Sequence, residues 1–339
     1  MSAVGWQVER ATRTSRIAGL AAAVLVIALA AAPWWAGRSD LRLLGELFTY
    51  LALASLWNLL AGFTGLVSVG QQAFVGFGGY MLFALAMFAG VPPLLTVPLA
   101  GLLGALVAIP VGALVFRLTG AYFAIGTWVV AEVFRLVFAQ VSSLGGGSGA
   151  SLPVAIVRAV ASGRTVREWT VYWIALGLAL AVLALVYWLL STRRGLALTA
   201  IRDSEEASES LGIDIWRTKF TVYVATAGAT AMIGALIFLQ KLRISPDAAF
   251  SVNDWTAYVI FITVIGGIGT IEGPVIGTIV YFVVRETMAD LGSVYLMILG
   301  LVAILVMLKA PRGLWGFVAE RYGIELFPVR RRLRITCDR

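Results

Sequence analysis

The stretch whose reading decides the fold is Gly62–Phe83, GFTGLVSVGQQAFVGFGGYMLF. It is apolar enough to lie in lipid, yet it carries adjacent glutamines, Gln71 and Gln72, and glycines at 62, 65, 70, 76, 78 and 79. A glycine in a helix interior costs about 1 kcal/mol relative to alanine. An amide without a partner in hydrocarbon costs several kcal/mol. Irregular backbone is tolerated at membrane depth only where it is buried in protein or lines a wet cavity. The stretch therefore predicts a kinked or broken span inside a helical membrane protein. Its glycines suit close helix packing, and Ser68, Gln71 and Gln72 are candidates for a pathway or gate. Asn58, just upstream, is a candidate for the same role or for an interhelical hydrogen bond.

Composition extends this to the whole chain. Of 339 residues, 60% are hydrophobic and 13% charged, with a mean hydropathy of +0.92. An average soluble domain carries about 25% charged residues. A helix rising about 1.5 Å per residue needs about 20 apolar residues to cross a bilayer. Candidate spans cover residues 17–36, 43–61, 66–89, 93–116, 120–140, 170–191, 219–240, 256–269, 273–286 and 293–308. Two of them are short and separated only by GGIGTIEGP, so about eight to ten transmembrane helices are expected. The fold class is an all-α polytopic membrane protein with broken or re-entrant helices. The first span is expected to be retained, because its apolar run ends in Pro33-Trp34-Trp35 without a small-residue cleavage site.

Charge sets the expected orientation. The net charge of +8 marks topology rather than nucleic acid, since basic residues beside apolar spans concentrate on the cytoplasmic side. Placing both termini inside gives that side an excess of Lys and Arg of about two to one. It then holds Arg10, Arg13, Arg16, Arg117, Arg193, Arg194, Arg202, Arg217 and Lys219. It also holds a tail with Lys309, Arg312, Arg321, Arg330, Arg331, Arg332, Arg334 and Arg339. The organisation expected is a cytoplasmic segment 1–16, a transmembrane domain 17–309, and a basic cytoplasmic tail 310–339. Two long loops interrupt the domain: an external loop 141–168 and a cytoplasmic loop 192–218. Arg158, Arg164 and Arg167 run against the inside bias and point to an external partner.

Several chemistries are excluded. With no histidine and one cysteine, Cys337, the chain has no histidine catalysis, no intramolecular disulfide and no Cys/His metal cluster. None of its lysines follows a glycine, so it has no P-loop of its own. No polar set resembles a catalytic constellation; no catalytic residue, metal or resident cofactor is expected.

The cytoplasmic loop predicts a short amphipathic helix. At ~100° per residue, Ala200, Ile201, Ser204, Ala207, Ser208 and Leu211 share a face. Arg202, Asp203, Glu205, Glu206 and Glu209 lie opposite, and Gly212 suits a C-terminal cap. Helices that rest on membranes favour basic residues and bulky apolar ones. This helix is acidic with a small-residue face, which suits a knob docked in a protein groove.

The loop GLALTAIRDSEEASESLGIDIWRTKF resembles the cytoplasmic loop of branched-chain amino acid ABC-importer permeases of the LivM type. Glu206-Ala207-Ser208, followed after three residues by Gly212, echoes the coupling motif of importer permeases. NLLAGFTGLVSVGQQAFVGFGGY (58–80), GAYFAIGTWVVAEVFRLV (120–137) and GGIGTIEGPVIGTIVYF (266–282) resemble three further family segments in order, so the likeness covers about residues 40–310. Departures fall at Gln72, where the family usually shows Ala, and in the outer GGGSGASLP. The resemblance implies a permease that pairs with a second, similar subunit as a heterodimer. It implies cytoplasmic ATPases, which bind the ATP and Mg, docked through Arg202, Glu205, Glu206, Ala207, Ser208, Leu211 and Gly212. It also implies an extracytoplasmic substrate-binding protein and a bacterial-type inner membrane. Two alternatives stay open: the same machine for urea, short amides or aromatic acids, and a gradient-driven secondary transporter or channel.

Three further features complete the reading. Glu132 and Arg135, i and i+3 inside a span, are expected to pair on one helix face. They are read first as a buried ion pair that fixes helix packing; the alternative is that the pair borders the pathway and partly opens toward substrate. Ala225, Gly228, Ala231 and Ala235 form a small-residue packing face. Glu272, without a nearby cation in sequence, is expected to face water or a partner subunit.

Overall fold

The computed structural model describes residues 4–9, 13–161, 163–288, 294–310, 312–322, 326–327 and 332–337. Arg10, Arg330, Arg331 and Arg339 of the predicted basic flanks lie outside these residues. A short strand β1 (Val4–Glu9) leads into α1 (Arg13–Ala30), α2 (Arg38–Asn58), α3 (Gln71–Met87), α4 (Pro93–Val115) and α5 (Ala121–Ala139). The connection after α5 holds β2 (Ala150–Ser151) and α6 (Val154–Val160), followed by α7 (Arg164–Ser191). The cytoplasmic loop of the prediction forms α8 (Arg193–Asp203) and α9 (Glu205–Ser210). Then come α10 (Ile215–Lys241), β3 (Arg243–Ile244), α11 (Pro246–Ala249), α12 (Tyr258–Gly266), α13 (Glu272–Met288) and α14 (Val294–Lys309). The chain closes with α15 (Gly313–Tyr322) and β4 (Arg332–Cys337). Among the described residues, eight helical stretches are long and apolar enough to cross a membrane. The ten predicted spans coincide, in order, with helices; α3 and α13, at 17 residues each, are the two that fall outside those eight stretches.

The core is built around α2 and α10, the most buried of the spans. α10 packs on α3 and α4 with backbone against backbone. A Cβ at Gly78 would overlap the carbonyl of Ala231, and one at Gly234 would overlap that of Val75. A Cβ at Gly104 would overlap the Ala231 side chain. Lipid gives helices no hydrophobic drive to associate, so such close approach through small residues supplies dispersion contacts instead. Gly228, Ala231 and Ala235 of the predicted packing face are buried, but Ala225 is exposed. The contact follows the face that meets α4 and α3, and Ala225 points off it.

The break predicted around Gly62–Gly79 is real and takes up the first residues of the predicted span 66–89. α2 continues as a wide π-helical turn, Leu59–Phe63. Residues 65–70 are then non-helical, and α3 begins only at Gln71. The predicted span 66–89 therefore starts five residues early. Side chains satisfy the freed backbone. Trp57 Nε1 donates to Ser68 O (2.8 Å), Gly70 N to Ser68 Oγ (3.2 Å) and Val69 N to Thr127 Oγ1 (3.1 Å). Gly65 takes a left-handed φ of +73°, which glycine adopts without a Cβ penalty. A second break separates α12 from α13, with Gly267 and Gly269 at φ +134° and +75°.

Three regional expectations are corrected. The loop 192–218 holds two helices rather than one, because Ser204 turns extended (φ −161°, ψ 115°) and caps α9 through its Oγ. The predicted tail 310–339 is not merely a tail: α15 packs on α12 and α13, and a Cβ at Gly313 would overlap Gly267 Cα. β4 pairs antiparallel with β1, Val4 opposite Cys337, so the two ends of the chain lie side by side. The external loop ends earlier than residue 168, since α7 already begins at Arg164.

Candidate functional site

The first break gathers Asn58, Ser68, Gln71 and Gln72, and all four are buried. Asn58 commits its amide to the second break: Oδ1 accepts from Gly269 N (2.8 Å) and Nδ2 donates to Thr270 O (2.7 Å). Gln71 Nε2 donates to Leu53 O (3.0 Å), while its Oε1 has no protein partner. Gln72 Oε1 accepts from Thr256 Oγ1, and its Nε2 has no protein partner. Both glutamines sit in the first turn of α3, whose start at the break turns them into the core. A cavity of about 20 Å³ lies beside Ser68 and Gln71, also lined by Trp57, Tyr223, Thr226 and Thr230. That is room for about one water. The interior polar groups therefore stand in a closed arrangement, with hydrogen-bonding capacity left over in both amides.

Glu132 and Arg135 do pair, at 2.6 Å, but they are not buried: their side chains are 47% and 31% exposed. Arg135 also bridges to Asp247 of α11 at 2.9 Å, an acidic partner remote in sequence. The charges share the surface of α5 with exposed Trp128, Val129, Val133 and Leu136. The expectation of a dry structural pair is thus corrected. A pair that does join two spans is Glu46–Arg285, with two contacts of 3.0 and 3.1 Å between α2 and α13. Its members lie 239 residues apart, so no local pattern announces it. Glu272 is likewise corrected: it is buried and accepts from the backbone N of Phe327 (2.9 Å).

In the α8–α9 loop, the turn at Ser204 splits the predicted small face. Ile201 and Ser208 are buried, whereas Ser204, Ala207 and Leu211 are exposed. Glu205 reaches back to the buried Lys219 of α10 (2.6 Å) and ties α9 to the transmembrane core. Glu206, Ala207, Glu209 and Ser210 face outward, and Gly212 follows in a left-handed conformation (φ +81°). Arg202 turns inward instead. Its Nη1 donates to Gly62 O (3.2 Å), and its Nε and Nη2 bind Asp203. A pocket of about 720 Å³ lies beside α9, lined by Leu66, Val67, Glu205, Glu209 and Trp216 among others.

Residues 41–308 match the family described as branched-chain amino acid transport system / permease component. The chain belongs to that family. This permease family match covers both breaks, α5 and the α8–α9 loop. Among curated relatives, the chain is 28% identical to the high-affinity branched-chain amino acid transport system permease protein LivM of Escherichia coli K12 and to that of Salmonella typhimurium LT2. Each match spans 86% of this chain and 73% of the relative. It is also 28% identical to a probable branched-chain amino acid transport permease protein LivM of Methanocaldococcus jannaschii, over 55% of this chain and 54% of that protein. No solved structure matches the chain.

Some residues of this permease's sites were beyond sequence reading. Lys219 and Thr256 look like ordinary span residues until α9 and Gln72 are placed beside them. At the start of α7, Glu168 binds Arg42 (2.6 Å) and Arg164 (3.3 Å). Arg164, expected to await an external partner, is thus engaged within the chain, while Arg158 stands exposed. Between the N-terminal ends of α2 and α7 and the C-terminal end of α10 lies a pocket of about 400 Å³ lined by Arg42, Glu46, Arg167, Glu168, Lys241 and Trp255 among others.

Proposed function

We propose that this chain is the membrane permease subunit of an ATP-driven, binding-protein-dependent importer, with branched-chain or related amino acids as substrate. The observation that carries this is the family match over residues 41–308, joined by the transport function for which the LivM relatives are named. The chain acts as a transport subunit without its own ATPase site. Partner ATPases bind ATP and Mg, and dock on the outward surface of α9, where Glu206, Ala207 and Leu211 are exposed. That side is the cytoplasmic face of a bacterial-type inner membrane, with both termini on it, consistent with the β1–β4 pairing. A second permease subunit pairs with this one, and an extracytoplasmic binding protein docks on the opposite side.

The surface of α5 supports a place for the pathway. Charges facing lipid at membrane depth are costly and are normally turned to a bundle interior or an aqueous cavity. Glu132 and Arg135 are neither buried nor isolated, so their face borders the substrate pathway or the second permease. ATP-driven alternating access then opens the polar breaks near Gln71 and Gln72. Their spare amide groups offer a donor and an acceptor to a zwitterionic amino acid.

The docking test is Ala207→Trp. The residue lies outside the spanning helices, so insertion and pairing with the second permease should be normal. Bulk on the docking face should prevent seating. Purified complexes should lose ATPase per permease, and substrate-stimulated hydrolysis should fall with it. Equal ATPase occupancy in the variant and the unmodified protein would remove α9 as the docking element.

A further inference from the structure

Three segments meet beneath the core: the end of α8, the π-helical turn after α2, and the glycine break between α12 and α13. We infer that Arg202, Gly62 and Asn58 form the joint that carries motion of the ATPase-docked loop into the two broken segments. Arg202 Nη1 donates to Gly62 O at 3.2 Å. Gly62 sits directly on the second break, where a Cβ would overlap both Asn58 Oδ1 and the backbone of Gly269. Asn58, buried, clamps that break at two consecutive residues, Gly269 N and Thr270 O. Thr270 Oγ1 extends the clamp, donating to Gly267 O (2.7 Å) and accepting from Gly273 N (3.0 Å). A Cβ on Gly269 would lie 3.3 Å from Arg202 Nη1, so the guanidinium that binds the first break also borders the second.

The elements on each side are of the kind that can hold two arrangements. A π-helical turn carries an extra residue in the ladder and recurs at functional sites. The other break contains two glycines in left-handed conformation, which can absorb large backbone rotations. Between them stands a contact without bulk, bridged by one arginine and one asparagine. Arg202 therefore acts as a positioning residue rather than a docking one. Like Glu206, Ala207 and Leu211 it is exposed, but its guanidinium is spent on the Gly62 carbonyl of the first break. Its neighbour Asp203 binds two of its nitrogens (3.0 and 2.8 Å) and fixes the direction of the third.

The inference rests on the docking of an ATPase to α9, and the experiment separates the two. The importer is purified with its partner subunits and reconstituted. ATPase occupancy and the ratio of substrate-stimulated to unstimulated hydrolysis are then measured for Arg202→Ala, Asn58→Ala and the double variant. Expected is unchanged occupancy with a stimulation ratio about tenfold lower in each single variant, the size of one charge-assisted hydrogen bond at Arg202 or of the two neutral ones at Asn58. The double variant should be no worse than the more severe single one, because residues in one network are not additive. Arg202→Lys should not restore the ratio, since a lysine cannot hold Asp203 and Gly62 O in one fixed fork. If Asn58→Ala does not accumulate, Asn58→Asp replaces it; this keeps the acceptor for Gly269 and loses the donor to Thr270. A ratio within twofold of the unmodified protein, or effects that multiply in the double variant, would overturn the joint. Loss of ATPase from Arg202→Ala would also overturn it, by making Arg202 a docking residue. Absence of ATPase from the unmodified complex would instead overturn the docking on which it rests.

Discussion

Replacing Gly78 by alanine adds one methyl group to α3 where it meets α10. That Cβ would overlap the carbonyl of Ala231, with the Ala231 carbonyl carbon at 2.6 Å. Relief requires the two backbones to part by more than about 1 Å, because neither is the end of a flexible side chain. Overpacking of this kind costs about 1–3 kcal/mol or more, against about 1 kcal/mol regained from the better helix propensity of alanine. A methyl group on Gly177, in α7, would meet nothing within 4 Å, so Gly177→Ala keeps the propensity gain and meets no overlap. The pair thus differs only in the contact with α10. Thermal unfolding of the purified permease, followed by size-exclusion recovery, should place Gly78→Ala several degrees below the unmodified protein and Gly177→Ala at or above it, at about 2–4 °C per kcal/mol. Parting α3 from α10 also moves the turn that carries Gln71 and Gln72, so uptake should fall with stability. Equal midpoints for the two variants would refute the claim that backbone contact between α3 and α10 holds the core.

Three other outcomes are expected. Arg135→Gln should assemble with a stability loss below about 1 kcal/mol, the range of partly exposed ion pairs, yet reduce uptake strongly if α5 borders the pathway; normal uptake would return the pair to a surface role. Thr256→Val alone leaves Gln72 with no partner at either end and should destabilise by about 1–3 kcal/mol, whereas Thr256→Val with Gln72→Leu should recover much of the loss; a double variant as unstable as the single would argue that Gln72 is satisfied elsewhere. Reversing Arg158 and Arg167 to Glu should weaken binding-protein docking in a way that added salt mimics, since exposed charges are screened; unchanged affinity at low salt would exclude these arginines from that surface.

The sequence alone determined the class of the protein and the order of its helices. Apolar runs long enough to cross a bilayer are a local property, set by backbone hydrogen bonding in hydrocarbon, and each predicted run coincides with a helix. The glycines and polar residues of Gly62–Phe83 likewise announced a break, because lipid admits such a segment only inside protein. Local patterns could not say which way the polar groups turn. The helical wheel over Ala200–Leu211 assumed one continuous helix, and a single extended residue, Ser204, split its face between core and solvent. Proximity at i, i+3 paired Glu132 with Arg135 but could not reveal Asp247, 112 residues away from Arg135. Glu272 had no visible partner because its partner is a backbone N–H brought from beyond α15. Asn58 and Gly269 sit 211 residues apart. Their contact exists only because two broken helices end at the same depth, and a one-dimensional pattern carries periodicity along the chain but not the depth at which separate helices stop.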